Sequence, residues 1–311
     1  MVEELFPAGL TYVNSAVPQL FGASPLFLSA SVGEALFGSD ITISCGPQVS
    51  GPAATVCRGI GAKAPVTITR KPDNGDFTFA YFRHKNYSLE GRYRIYRGRK
   101  DIKKLGLIKR FRNSTRLKEW PVDSSCARIL GTDSTIFPPF ADSSQRVYIF
   151  ISDICLSVFA EYDSRGSDKG LPILRFTGSY KNFADPTEVP ENRCDKRGRV
   201  SGISKANLSP VGHILFLRFS GAPVIFSMPH LFGADEEYRN YAMGLSPDKR
   251  RHETFVLLEP YTSVPIEGRK RFQLNMFLKR IPEIDVLANV SEGLFPLLWI
   301  EEVTISINSL L

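Results

Sequence analysis

Much that would announce a function is missing from these 311 residues. No run of 18 consecutive apolar residues occurs, so nothing reads as a membrane-spanning helix. The nearest approach is the uncharged stretch 5–33, but Pro7, Pro18 and Pro25 interrupt it, and each proline removes a backbone donor and breaks a helix. Glu3 and Glu4 stand where a secretory leader needs positive charge, so the chain as given is expected to enter no membrane and carry no secretion address. The five cysteines, at 45, 57, 126, 155 and 194, form no C-x-x-C pair, which argues against a zinc knuckle or a thioredoxin-type site.

Catalytic signatures are equally scarce. G-x-S-x-G does not occur, and His252-Glu253 lacks the second histidine of a zincin. Gly59-Ile-Gly-Ala-Lys-Ala64 loosely matches a dinucleotide loop, but Pro65 follows where its helix should run. The four histidines, at 84, 213, 230 and 252, are far apart, and His230 reads as a structural hydrogen-bonder rather than a base. The expectation is a protein that is not an enzyme, with no cofactor and no metal.

What is present is charge, concentrated in one place. Residues 83–118 hold fourteen Lys or Arg against Glu90 and Asp101, a net +12 in a chain whose total is +7. The remaining residues are therefore net acidic. Within the basic stretch, Arg92, Arg94, Arg97, Arg99, Lys100, Lys103 and Lys104 form the densest group. Arg92-Tyr93-Arg94-Ile95 alternates with period two, which predicts a strand with Tyr93 and Ile95 facing the core and the arginines facing out. Three readings stay open: a solvated surface, a docking face for anionic lipid, lipoprotein or acidic protein, and a polyanion- or nucleic-acid-binding patch.

Short alternating or apolar runs dominate elsewhere: 147–151, 156–162, 171–176, 224–228, 254–259, 272–278 and 303–307. Turn-formers such as Asp163-Ser-Arg-Gly166 and Ser246-Pro-Asp248 separate many of them. Helices are expected only at 31–37, with Ser31 as N-cap, and at 231–244. The predicted class is mainly β with minor α. Residues 40–75, rich in Gly, Pro, Ala and Ser, read as an exposed loop, with the pairing of Cys45 and Cys57 left open. Residues 195–212, polar and rich in Gly and Lys, lack periodicity and read as a second loop. Four N-x-S/T sequons, at Asn86, Asn113, Asn207 and Asn289, are candidate glycosylation sites. Two of them lie in the basic stretch, where glycans would disfavour nucleic acid as a partner.

Several longer stretches together resemble one family. They are Ser31-Val-Gly-Glu-Ala-Leu-Phe-Gly38, Cys126-Ala-Arg-Ile-Leu-Gly-Thr-Asp133 with Phe137-Pro-Pro-Phe140, and Ile151-Ser-Asp-Ile-Cys-Leu-Ser157. Gly221 to Asp235, His252-Glu-Thr-Phe255, Lys270 to Asn275 and Phe295-Pro-Leu-Leu-Trp299 continue in the same order. The sequence is similar to the class B scavenger receptors, the group of the fatty-acid translocase and lysosomal integral membrane protein type 2. The resemblance implies a single partial ectodomain over 1–311, extracellular or lysosomal-luminal, whose membrane anchors lie outside this chain. It implies an irregular antiparallel β-barrel with short helices and an internal apolar tunnel. It further implies a lipid or lipoprotein receptor that passes lipid without catalysis, or alternatively a lysosomal protein for hydrolase carriage or lipid export. A Cys126–Cys194 disulfide is implied as well, leaving Cys155 as a thiol. Residues 40–75 depart from the family as an inserted loop, and 195–219 as an atypical segment lacking expected cysteines.

Overall fold

The computed structural model describes residues 9–22, 26–89, 91–182, 184, 189–192, 214–219 and 222–305. The chain forms two compact units, each assembled from separated stretches. The first comprises 1–90, 218–223 and 277–293, and the second 91–217, 224–276 and 294–311.

The first unit is built on helices. Helix α1 (Leu10–Phe21) contains Pro18, whose neighbourhood argued for irregular chain. Val13, Ala16 and Leu20 fall on one face and are buried, and the gain from that stripe outweighs the one backbone bond a proline forfeits. Asn14 adds a tertiary anchor, donating to Asp285 Oδ2 at 3.1 Å and accepting from the Asp285 N–H at 2.9 Å. Helix α2 (Val32–Phe37) starts where expected: Ser31 Oγ accepts from the Glu34 N–H at 3.2 Å, an N-cap bond.

The stretch 40–75 corrects the loop expected there. It contains strand β1 (Thr42–Ile43), helix α3 (Gly51–Lys63) and strand β2 (Ile68–Arg70), and β3 (Phe77–Phe79) pairs antiparallel with both strands. Pro52 occupies the first turn of α3, where its missing N–H costs nothing. Ala53, Val56 and Cys57 face inward at i, i+3 and i+4, packing with α1, Phe77, Ile281 and Ile284. A Cys45–Cys57 disulfide, Cα–Cα 5.7 Å, ties the helix to the chain before it.

The second unit is a β structure. Strands β4 (Tyr93–Ile95) and β5 (Ile108–Phe111) form a two-stranded sheet by themselves. The large sheet contains β6 (Val147–Ile151), β7 (Leu156–Asp168), β8 (Leu171–Gly178), β9 (Ile214–Phe219), β10 (Ala222–Ser227), β11 (Phe255–Leu258), β12 (Pro265–Leu278) and β13 (Gly293–Ile305). Its order is β6-β7-β8-β11-β12-β10-β9, with β13 also on β12. Lys169 and Gly170, both at positive φ, make the two-residue turn between β7 and β8, the twist-matched hairpin geometry. Phe137, Ala160, Leu174, Phe176, Val256 and Leu258 form its principal core.

The class is mainly β with short helices, as the alternating runs predict. Among the described residues the sheet stays open and does not close into a barrel. The helix expected over 231–244 shrinks to α4 (Glu236–Arg239), because His230 and Leu231 both adopt φ of 53° and turn the chain first. A last short helix, α5 (Lys249–His252), is capped by Asp248, whose carboxylate accepts from the Arg251 N–H at 2.8 Å. Of the segment 195–219, residues 195–213 lie outside the described residues, and 214–219 form β9.

Candidate functional site

Residues 93–111 of the basic stretch fold as an exposed hairpin in the second unit. Tyr93 packs inward on Phe111, ring centroids 4.9 Å apart, and Phe111 on Phe150 at 5.1 Å, giving the hairpin a rigid aromatic base. Ile95 departs from expectation. A register shift between Arg94 and Ile95 breaks the alternation, and Ile95 is 41% exposed rather than in the core. Arg92, Arg94, Arg97, Arg99, Lys100, Lys103 and Lys104 are all exposed. Among the described residues only Lys104 of these seven has an ion pair, with Asp101 at 3.3 Å. The hairpin therefore presents concentrated positive charge with little internal compensation, an arrangement that attracts polyanions.

A second feature is an apolar cavity of about 100 Å³ within the large sheet. Ile149, Ile151, Val158, Phe226, Met228 and Phe272 supply apolar wall, and Thr254, Lys270 and Arg271 are among its polar members. Lys270 bridges Glu302 at 2.8 Å and Asp153 at 3.6 Å, while Arg271 contacts Glu301 at 2.6 Å.

Sequence reasoning missed what lies next to this cavity. On β12 the polar positions that alternate with Phe272 and Leu274 are themselves buried: Arg271, Gln273 and Asn275 are 6%, 2% and 0% exposed. Gln273 Nε2 donates to Asn275 Oδ1 at 2.7 Å, Asn275 Nδ2 donates to Ser227 Oγ at 2.9 Å, and Gln273 Oε1 accepts from the His230 N–H at 2.8 Å. His230 and His252, distant in sequence, stack with centroids 4.3 Å apart and planes 10° from parallel. The only advance signal was that each sits in a stretch of the family resemblance.

The remaining predicted positions are scattered. Asn86, Asn113 and Asn289 are exposed in turns, and Asn207 lies outside the described residues. Cys126 is buried and disulfide-bonded, but Cys194 lies outside the described residues. Cys155 is a thiol whose Sγ lies 3.3 Å from the Ser152 carbonyl oxygen. No group of three or more His, Cys, Asp or Glu among the described residues is arranged to hold a metal. None of the described helices is long and apolar enough to cross a membrane.

Similarity to known proteins converges on one group. Sensory neuron membrane protein 2 of Ostrinia furnacalis is 33% identical over 305 residues, covering 97% of this chain and 58% of that protein. The Heliothis virescens protein of the same name is 34% identical with the same coverage. Sensory neuron membrane protein 1 of Apis mellifera is 31% identical over 95% of this chain and 55% of its own length. The chain thus spans a little over half the length of these curated relatives. The CD36 family model matches residues 6–311, and the chain belongs to the CD36 family.

Proposed function

We propose that this chain is part of a scavenger-type receptor ectodomain that binds anionic lipid or lipoprotein and does no covalent chemistry. The observation that carries the reading is the exposed cationic hairpin, with a single ion pair for its seven clustered cations among the described residues. The cavity is proposed to hold the apolar end of a lipid, against Ile149, Val158, Phe226 and Phe272. Membership of a family that includes membrane proteins supports attachment to a membrane through segments outside this chain. Glycans on Asn86, Asn113, Asn207 and Asn289, and a Cys126–Cys194 disulfide, belong to the same proposal.

Near an anionic surface each exposed cation contributes about 1 kcal/mol, attenuated over ~8 Å at physiological salt. Changing Arg97, Arg99, Lys100, Lys103 and Lys104 together to Glu should therefore weaken binding to phosphatidylserine-containing vesicles by well over tenfold. The circular dichroism spectrum should be retained. Binding indifferent to salt and to the reversal would refute the role of the hairpin. Tighter, sequence-independent binding of RNA by the same protein would favour the polyanion-binding alternative.

A further inference from the structure

The stacked histidines are wired for a purpose that lipid binding does not require. His252 is fully buried, and its Nδ1 accepts from the Asp248 N–H at 2.9 Å. His230 Nδ1 accepts from the Ser246 N–H at 3.0 Å. A neutral imidazole has one donor and one acceptor nitrogen, so both rings carry their proton on Nε2. His252 Nε2 is buried without a hydrogen-bond partner among the described residues, and Trp299 stands edge-on to both rings. A second proton can enter either ring only at Nδ1, which means expelling the backbone N–H already there. Protonation and the hydrogen bonds that hold residues 246 and 248 exclude each other.

The surroundings sharpen this antagonism. On its own turn His252 has Asp248 and Arg251, and Glu253 follows. From β12 Arg271 reaches past it to the carbonyls of Arg250 and Glu253, and its own charge is matched by Glu301 of β13. Glu253 is likewise engaged by Arg175 of β8 at 3.0 Å. Burial pushes the His252 imidazolium below its ordinary value, His230 and Arg251 add to that, Asp248 opposes it and Arg271 adds again. The pair also adjoins the cavity: Met228 and Thr254, each two residues from one of the histidines, line it and touch each other at 3.7 Å.

We propose that the His230–His252 stack is an acid-operated latch that closes the turn 246–252 onto the turn 228–231 at neutral pH and releases it on acidification. Release would loosen the cavity wall at Met228 and Thr254. The sign follows from proton uptake. In an opened segment His252 binds its proton near the ordinary histidine value of ~6.5, whereas in the closed one its burial holds the imidazolium below that. The closed state is thus fully favoured above that value and loses ground as pH falls through it, by up to about tenfold per pH unit for each proton taken up. The device makes no assumption about which ligand the cavity takes.

Amide hydrogen exchange of the purified chain, corrected for intrinsic rates, tests it between pH 7.5 and 5. The opening equilibrium of the Ser246 and Asp248 amides should rise at least tenfold across that range, while amides of the β6–β7 pair stay protected. His252→Asn and His230→Asn keep an acceptor near the Nδ1 position without a titrating group, and asparagine tolerates the left-handed backbone at 230. Either variant should flatten the profile. Should neither variant fold, the wild-type profile still decides: a flat response at Ser246 and Asp248 overturns the latch. So does imidazole nitrogen NMR that finds His252 protonated on Nδ1 at pH 7.5 or titrating at 6.5 or above.

Discussion

Arg92-Tyr93-Arg94-Ile95 and Arg269-Lys270-Arg271-Phe272 are nearly the same phrase, cations alternating with apolar or mixed neighbours on a strand. In β4 the arginines stand in solvent. In β12 Arg269 is held by Glu267 at 2.6 Å and Glu301 at 3.1 Å, and Arg271 is buried on Glu301 at 2.6 Å. Arg271 donates further to two backbone carbonyls. The difference comes from elsewhere in the chain: β13 brings Glu301 and Glu302 beside β12, whereas among the described residues β4 pairs only with β5, which carries Lys109 and Arg110. A local pattern reports where charge is, and only the topology reports whether it is already spoken for.

The largest effect should come from removing a buried cation. Arg271→Met leaves Glu301 and two carbonyls short of a partner, and breaking a buried pair in this way costs about 3–5 kcal/mol. Arg94→Met, at an exposed site, should stay within about 0.5 kcal/mol. Urea denaturation of both variants would break the contrast if their midpoints moved equally.

A smaller, pH-dependent effect sharpens it. Burial pushes the Glu301 carboxyl up, but hydrogen bonds and charge from Arg271 and Arg269 outweigh this and hold it below the usual carboxylate range. A depressed acid contributes stability in full above its unfolded value, near 4.3, and loses it as pH falls through the folded one. The stability gap between wild type and Glu301→Gln should therefore be constant from pH 7 to 5 and narrow below about 4.3. A gap that widened on acidification would contradict the assignment. Least of all should follow from Lys104→Gln, since the Lys104–Asp101 pair is solvent-exposed and such pairs are worth under about 1 kcal/mol.

Most of the large sheet was legible because its strands carry their own evidence. Val147–Ile151 and the starts of β7 and β8 fall where period-two or apolar runs begin, and Ser31 caps its helix as its side chain predicts. Helices α1 and α3 were not legible. Their glycines and prolines lower local propensity, and what rescues them is burial against each other and against Ile281 and Ile284, far along the chain. Ile95 was misplaced because one bulge inverts a face, and a bulge leaves no compositional trace. The histidine pair escaped for a related reason: a stack depends on two turns meeting, and neither turn announces its partner.

The Cys45–Cys57 clamp bears on how the protein should be made. A bridge across a loop of this size is worth about 3 kcal/mol on the chain-entropy model, a large share of what a small helical unit can muster. Such bonds form and persist in oxidising compartments and are rare in a reducing cytosol. Expression in a thiol-rich cytoplasm would deliver α3 untethered, with two reactive sulfurs beside a loosened apolar face. Routing through a periplasm or secretory lumen, or oxidative refolding, is the condition under which the first unit reaches its native form.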